Sequence, residues 1–144
     1  MAGDEKQIIV DGDMRIVEYA VCSDGSMPAA VFVNSLDRKD QAMLFKFFQH
    51  LANAGERGFR NTERFKQERG ELYTFRHTTR LGPKHGVQRL RLPCFRFDNR
   101  WIITHGFWKP PQSKWPEEQF IRAFAIQKDV VTREKKKKQK EKQA

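Results

Sequence analysis

Apolar residues along the chain change their spacing three times. They alternate or cluster as β-prone runs near the start, recur three and four positions apart from Pro28 to Ala54, and alternate again from Glu71 to Lys109. After Pro116 the wider spacing returns. Alternation places side chains on opposite faces of a strand, whereas a 3.6-residue period lines one side of a helix. "QIIVDGDMRIVEYAV" sets two apolar runs around Asp11-Gly12-Asp13, an Asp-Gly hairpin signal. Met14–Val21 is the firmer strand, and the first run reads as a peripheral extra strand. Ser26 is placed to cap a helix with Pro28 in its first turn, and Asp37 or Asp40 to cap its second part. Leu44, Phe47, Phe48 and Leu51 fall on one helical side and predict core, and Gly55 predicts the helix end. A short polar helix is expected around Thr62–Lys66.

Three β-rich stretches follow, "ELYTFRHT", "VQRLRLPCFRF" and "RWIITHGFWK", separated by "RLGPKHG" and "FDNR". An antiparallel meander is the simplest way to join them. Pro93 predicts a bulge or sheet edge, because it has no N–H to give a ladder. Pro116 with Glu117 and Glu118 opens a final helix, with Phe120, Ile121, Phe124 and Ala125 as its expected apolar face. The expected fold is α+β: an antiparallel-rich sheet of about four strands, N-terminal helices packed on one face, and a C-terminal helix.

A length of 144 residues suits one domain with a single core. No apolar run approaches the roughly 18 residues that cross a bilayer, and "MAGDEKQIIV" lacks the pattern of a secretion signal, so the expectation is a cytoplasmic chain with no membrane partner. Cys22 and Cys94 form neither a disulfide framework nor a metal-ligand spacing, and no metal or cofactor is expected. Charge changes the picture more. The net charge is +10, and residues 70–115 alone carry nine basic and two acidic side chains. Such a segment is the electrostatic footprint of a nucleic-acid partner. The lysine-rich run 133–144 is a second basic block, expected to be a solvated, mobile tail that could tether RNA without sequence preference.

Period two decides where the arginines point. Tyr73, Phe75 and His77 share one face of the first meander strand, and Thr74 and Arg76 the other; Leu90 and Leu92 oppose Arg89 and Arg91. With the apolar face on the helices, Arg76, Arg89 and Arg91 converge on the open face. Guanidinium forks grip phosphate with paired hydrogen bonds, so convergence makes an anion site; the plainer reading is a solubilising wet face. Lys109 closes the last strand on the side shared by His105 and Phe107. His105 reads either as a hydrogen-bonded core histidine or as a proton-transfer group.

"HGFWKPPQSKWPEEQFIRAFA" resembles the final strand and helix of the RelE/ParE superfamily of bacterial toxins, in its HigB-like, phage-associated branch. "ELYTFRH" followed by "VQRLRL" is similar to that family's substrate-facing strands, and "MRIVEYAV" to "LFKFFQHLANAG" to its first strand and helical hairpin. The resemblance spans residues 14–132, leaving 1–13 as an N-terminal extension and 133–144 as the tail. It implies a RelE-like fold and the toxin of a type II toxin–antitoxin system, an mRNA interferase that cuts messenger RNA on the ribosome. The implied partners are that message, ribosomal RNA and a cognate antitoxin, expected to be a helix-turn-helix protein. The implied catalytic set is Arg76, Arg89, His105 and Lys109. Arg91, Arg80, Lys84 and Lys114 are the expected further RNA contacts. The expected chemistry is metal-free attack of a 2′-OH on the scissile phosphate, with Arg76 and Arg89 as the clamp and Lys109 or His105 moving the proton. The alternative is a ParE-like gyrase inhibitor, or a non-catalytic phage protein that binds nucleic acid or a partner.

Overall fold

A computed structural model describes residues 6–59, 63–80, 86–111 and 114–143. The chain begins as a hairpin, β1 (Ile8–Asp11) and β2 (Ile16–Tyr19), antiparallel as the Asp-Gly turn predicts. Two helices follow, α1 (Pro28–Asn34) and α2 (Arg38–Ala54). Ser26 does not cap α1; its hydroxyl and N–H both bond Asp24, and Pro28 alone marks the start. Asp37 does cap α2, accepting the Asp40 N–H at 2.9 Å. Gly55 ends that helix at φ 72°, a left-handed position that favours glycine.

The remaining strands are β3 (Phe65–Arg69), β4 (Leu72–Arg80), β5 (Val87–Phe97), β6 (Arg100–Ile103) and β7 (Phe107–Lys109), before α3 (Glu117–Gln143). They form one sheet in the order β1-β2-β6-β5-β4-β3, with β7 also pairing β5. Every pairing is antiparallel except β2 with β6. The α+β class holds, but the sheet has seven strands where about four were expected.

Two local effects account for most of the difference. The helix expected near Thr62–Lys66 is replaced by β3, because Phe65 anchors the segment among Phe59, Tyr73, Phe75 and Trp101; Thr62 itself lies outside the described residues. "RWIITHGFWK" is also two strands, β6 and β7, laid end to end along β5. Pro93 sits at the gap between them. Its carbonyl accepts the Thr104 N–H at 2.8 Å, but Pro93 has no N–H to return the bond, and the β5–β6 ladder ends at that pair. Gly106 occupies the same break, where an added Cβ would stand 2.2 Å from Cδ1 of Phe32 and 2.8 Å from Cδ2 of Leu92.

Helices cover both sheet faces rather than one. Val17, Phe75, Leu90, Leu92, Trp101 and Ile103 pack with α1 and α2. The alternate residues Leu72, Phe95, Ile102 and Phe107 pack with α3. The buried stripe of α3 is Phe120, Ala123, Ile126 and Val130, whereas Ile121, expected inside, is 65% exposed. The lysine-rich run is also helical, continuing α3 through Gln143. Among the described residues no helix is long and apolar enough to cross a membrane.

Candidate functional site

Strand register gathers the basic residues. Arg76 on β4 is paired directly with Arg91 on β5, and Arg89 on β5 with Lys109 on β7. Cross-strand partners project from the same face, and so do residues two apart. Arg76, Arg89, Arg91 and Lys109 therefore rise from one side of three adjacent strands. That is the α3 side, but α3 starts at Glu117, and its first turn packs on Phe107 through Trp115 and Phe120; at the basic corner Arg89 is exposed and Arg76 and Lys109 are half-buried.

Two hollows meet at this corner and share Arg76 and Arg91. One, of about 410 Å³, is lined by Arg89 and Arg64 as well, and wraps the outer edge of β4 to reach Phe47 and His77. The other, of about 310 Å³, lies between the corner and α3 and adds Lys66, Lys109, Lys114 and Trp115.

Arg91 is the unusual member. It is 3% exposed, yet among the described residues no carboxylate pairs with it. One Nη donates to the Leu90 carbonyl at 2.9 Å, and its buried Nε has no partner. Burial lowers the guanidinium's pKa to about 10, and the charge of Arg76 adds to this. Lys109 is also pushed down, by burial first and then by Arg91, Arg89 and Arg76, which favours its free amine. Glu68 works against both shifts. Glu63 lines the first hollow, and Glu68 and Glu117 the second, so the corner holds acids as well as an excess of basic side chains, and a phosphate there would offset that excess.

The other expected residues separate. Lys114 is exposed on the second hollow. Arg80 lies at the far end of β4, paired with Val87, and lines neither hollow. Lys84 lies outside the described residues. His105 is fully buried: Nδ1 meets Thr104 Oγ1 at 3.0 Å and Nε2 meets Gln119 Oε1 at 2.9 Å. Burial lowers its pKa to about 4, so it is a neutral core imidazole linking the sheet to α3 and does not reach the basic corner.

Sequence reasoning missed the rim of the first hollow. His77 Nε2 lies 2.8 Å from Asp40 Oδ1, and the ring stands edge-on to Phe47. Burial opposes ionisation of Asp40, but hydrogen bonds from His77 and Thr79 outweigh it and hold the carboxyl below its ordinary range. The pair joins α2 to β4 across 37 positions, a separation no local pattern reveals. Arg64, Lys66 and Arg69 were missed because β3 was read as helix or passed over. Among the described residues no three His, Cys, Asp or Glu side chains gather as a metal site. No protein-family model matches the chain, and a search of curated proteins finds no match.

Proposed function

We propose that the chain is a RelE/HigB-like endoribonuclease that cuts messenger RNA on the ribosome, held silent by a cognate antitoxin. The observation that carries this reading is the buried Arg91, which makes no ion pair among the described residues, set beside Arg76 and flanked by Arg89 and Lys109. Arg76 and Arg91 clamp the scissile phosphate, and Arg89 neutralises charge that builds in the transition state. Lys109, whose hold on its proton is weakened by burial and by Arg91, Arg89 and Arg76, takes the 2′-OH proton. The 2′-oxygen attacks phosphorus, the bond to the 5′-oxygen breaks, and that oxygen takes a proton from water in the open hollow. The products are a 2′,3′-cyclic phosphate and a 5′-hydroxyl. His105 serves the fold and stands outside the reaction.

Purified chain incubated with message-programmed ribosomes, followed by primer extension, tests the proposal. Codon-phased cuts that vanish in Arg76→Ala support it. Intact message together with DNA damage in expressing cells would instead indicate the ParE-like activity, which needs no phosphate clamp.

A further inference from the structure

The last third of α3 has no role in the cleft. Lys135, Lys136, Lys137, Lys138, Lys140 and Lys142 lie on this helix, and all are exposed. Like charges three and four residues apart repel along a helix, so the segment needs support from elsewhere. The body supplies it at the base. Arg100 bonds Glu18 at 2.9 Å and Glu134 at 3.0 Å; Asp129 accepts the Ser23 N–H at 3.0 Å; Lys138 pairs with Asp98. These contacts reach as far as Lys138, and the same helix carries Lys140 and Lys142. At about 1.5 Å per residue, Lys135–Lys142 lies roughly 27–38 Å along the axis from the helix start beside the basic corner.

The composition of the segment selects its partner. Beyond Val131 it contains no apolar residue and no aromatic. A membrane-surface helix needs an apolar face to insert. A protein interface depends on buried aromatic and aliphatic anchors and is depleted in lysine. Single-stranded RNA is gripped largely by stacking bases on aromatic rings. Lysine ammonium groups around a helix, in excess over Glu134 and Glu141 and with no apolar anchor among them, match the regularly spaced phosphates of a duplex.

We propose that the C-terminal part of α3 is a second, sequence-independent docking site for double-stranded RNA, separate from the cleft; the choice of RNA as the duplex rests on the proposed function. Its occupant is structured RNA beside the strand in the cleft. Binding releases counterions, so each ammonium–phosphate contact steepens the salt dependence by about 0.9 in log K per log salt.

The test compares the full chain with a variant carrying Lys135, Lys136, Lys137, Lys140 and Lys142 all changed to Gln. Lys138 is kept for its Asp98 contact, and far-UV circular dichroism checks that helicity is unchanged. Binding to a 20-base-pair RNA duplex is followed by fluorescence anisotropy between 50 and 200 mM salt. The variant is expected to bind about tenfold or more weaker at the low-salt end, with a slope shallower by roughly four. Equal slopes and affinities for the wild type and the lysine variant would overturn the proposal, as would a stronger preference for anionic phosphatidylserine vesicles over the duplex. Message cleavage is read in parallel: weaker duplex binding by the lysine variant in a chain that cuts no message overturns the nuclease reading alone, which keeps the two readings distinguishable.

Discussion

Arg91 and His105 are both buried polar side chains, and their surroundings give them opposite meanings. His105 has partners on both ring nitrogens and is held neutral. Its folded pKa of about 4 lies below the ordinary 6.5, so the native imidazole resists a proton that the unfolded chain accepts. Its contribution is therefore complete above about pH 6.5 and is lost as pH falls towards 4. Urea unfolding at pH 7 and pH 4.5 should show about 2–3 kcal/mol more loss in the wild type than in His105→Gln. Among the described residues Arg91 makes no ion pair and its buried Nε has no partner, and a buried charge held in that way costs stability. Arg91→Met should raise the unfolding free energy by about 1 kcal/mol or more while abolishing cleavage, a combination expected where a site is maintained at the fold's expense. A matched loss of stability and activity would make Arg91 structural.

At the scale of elements, period two was legible and its consequences largely held. "ELYTFRH" and "VQRLRL" set Phe75, Leu90 and Leu92 against Arg76, Arg89 and Arg91 as the alternation implies. The stripe Leu44, Phe47, Phe48 and Leu51 is buried as its spacing predicts. What failed depended on distant partners. Phe65 makes β3 a strand only because Tyr73 and Trp101 wait for it. Ile121 faces water because the line of contact on α3 runs through Ala123 and Ile126. The break in "RWIITHGFWK" needs Gly106 under the Phe32 ring, a contact between residues far apart in sequence. Gly106→Ala should force that ring or Leu92 to move and lower the unfolding free energy by about 1–3 kcal/mol, measured by denaturant titration. An unchanged midpoint would mean that the β6–β7 junction is loosely packed.

For the whole molecule, the charge segregation seen in the sequence becomes two separate surfaces. The basic strands 72–109 build a corner at one end of α3, and the lysine run becomes its other end. The hydrophobic pattern could announce the first, because strand alternation fixes facing without knowledge of the neighbours. It could not show the second as ordered, since helix formation there depends on anchors at Ser23, Asp98 and Arg100. The Asp40–His77 pair was equally hidden, joined only once α2 lies on the sheet.

The central claim is that Arg76 and Arg91 hold one phosphate for cleavage. Single-turnover cutting of a ribosome-bound message by the wild type, Arg76→Ala and Arg91→Met tests it most directly. Each variant is expected to stay folded and to lose at least about 10²-fold in rate, as for removal of a transition-state charge contact. Wild-type rates in both variants would contradict it.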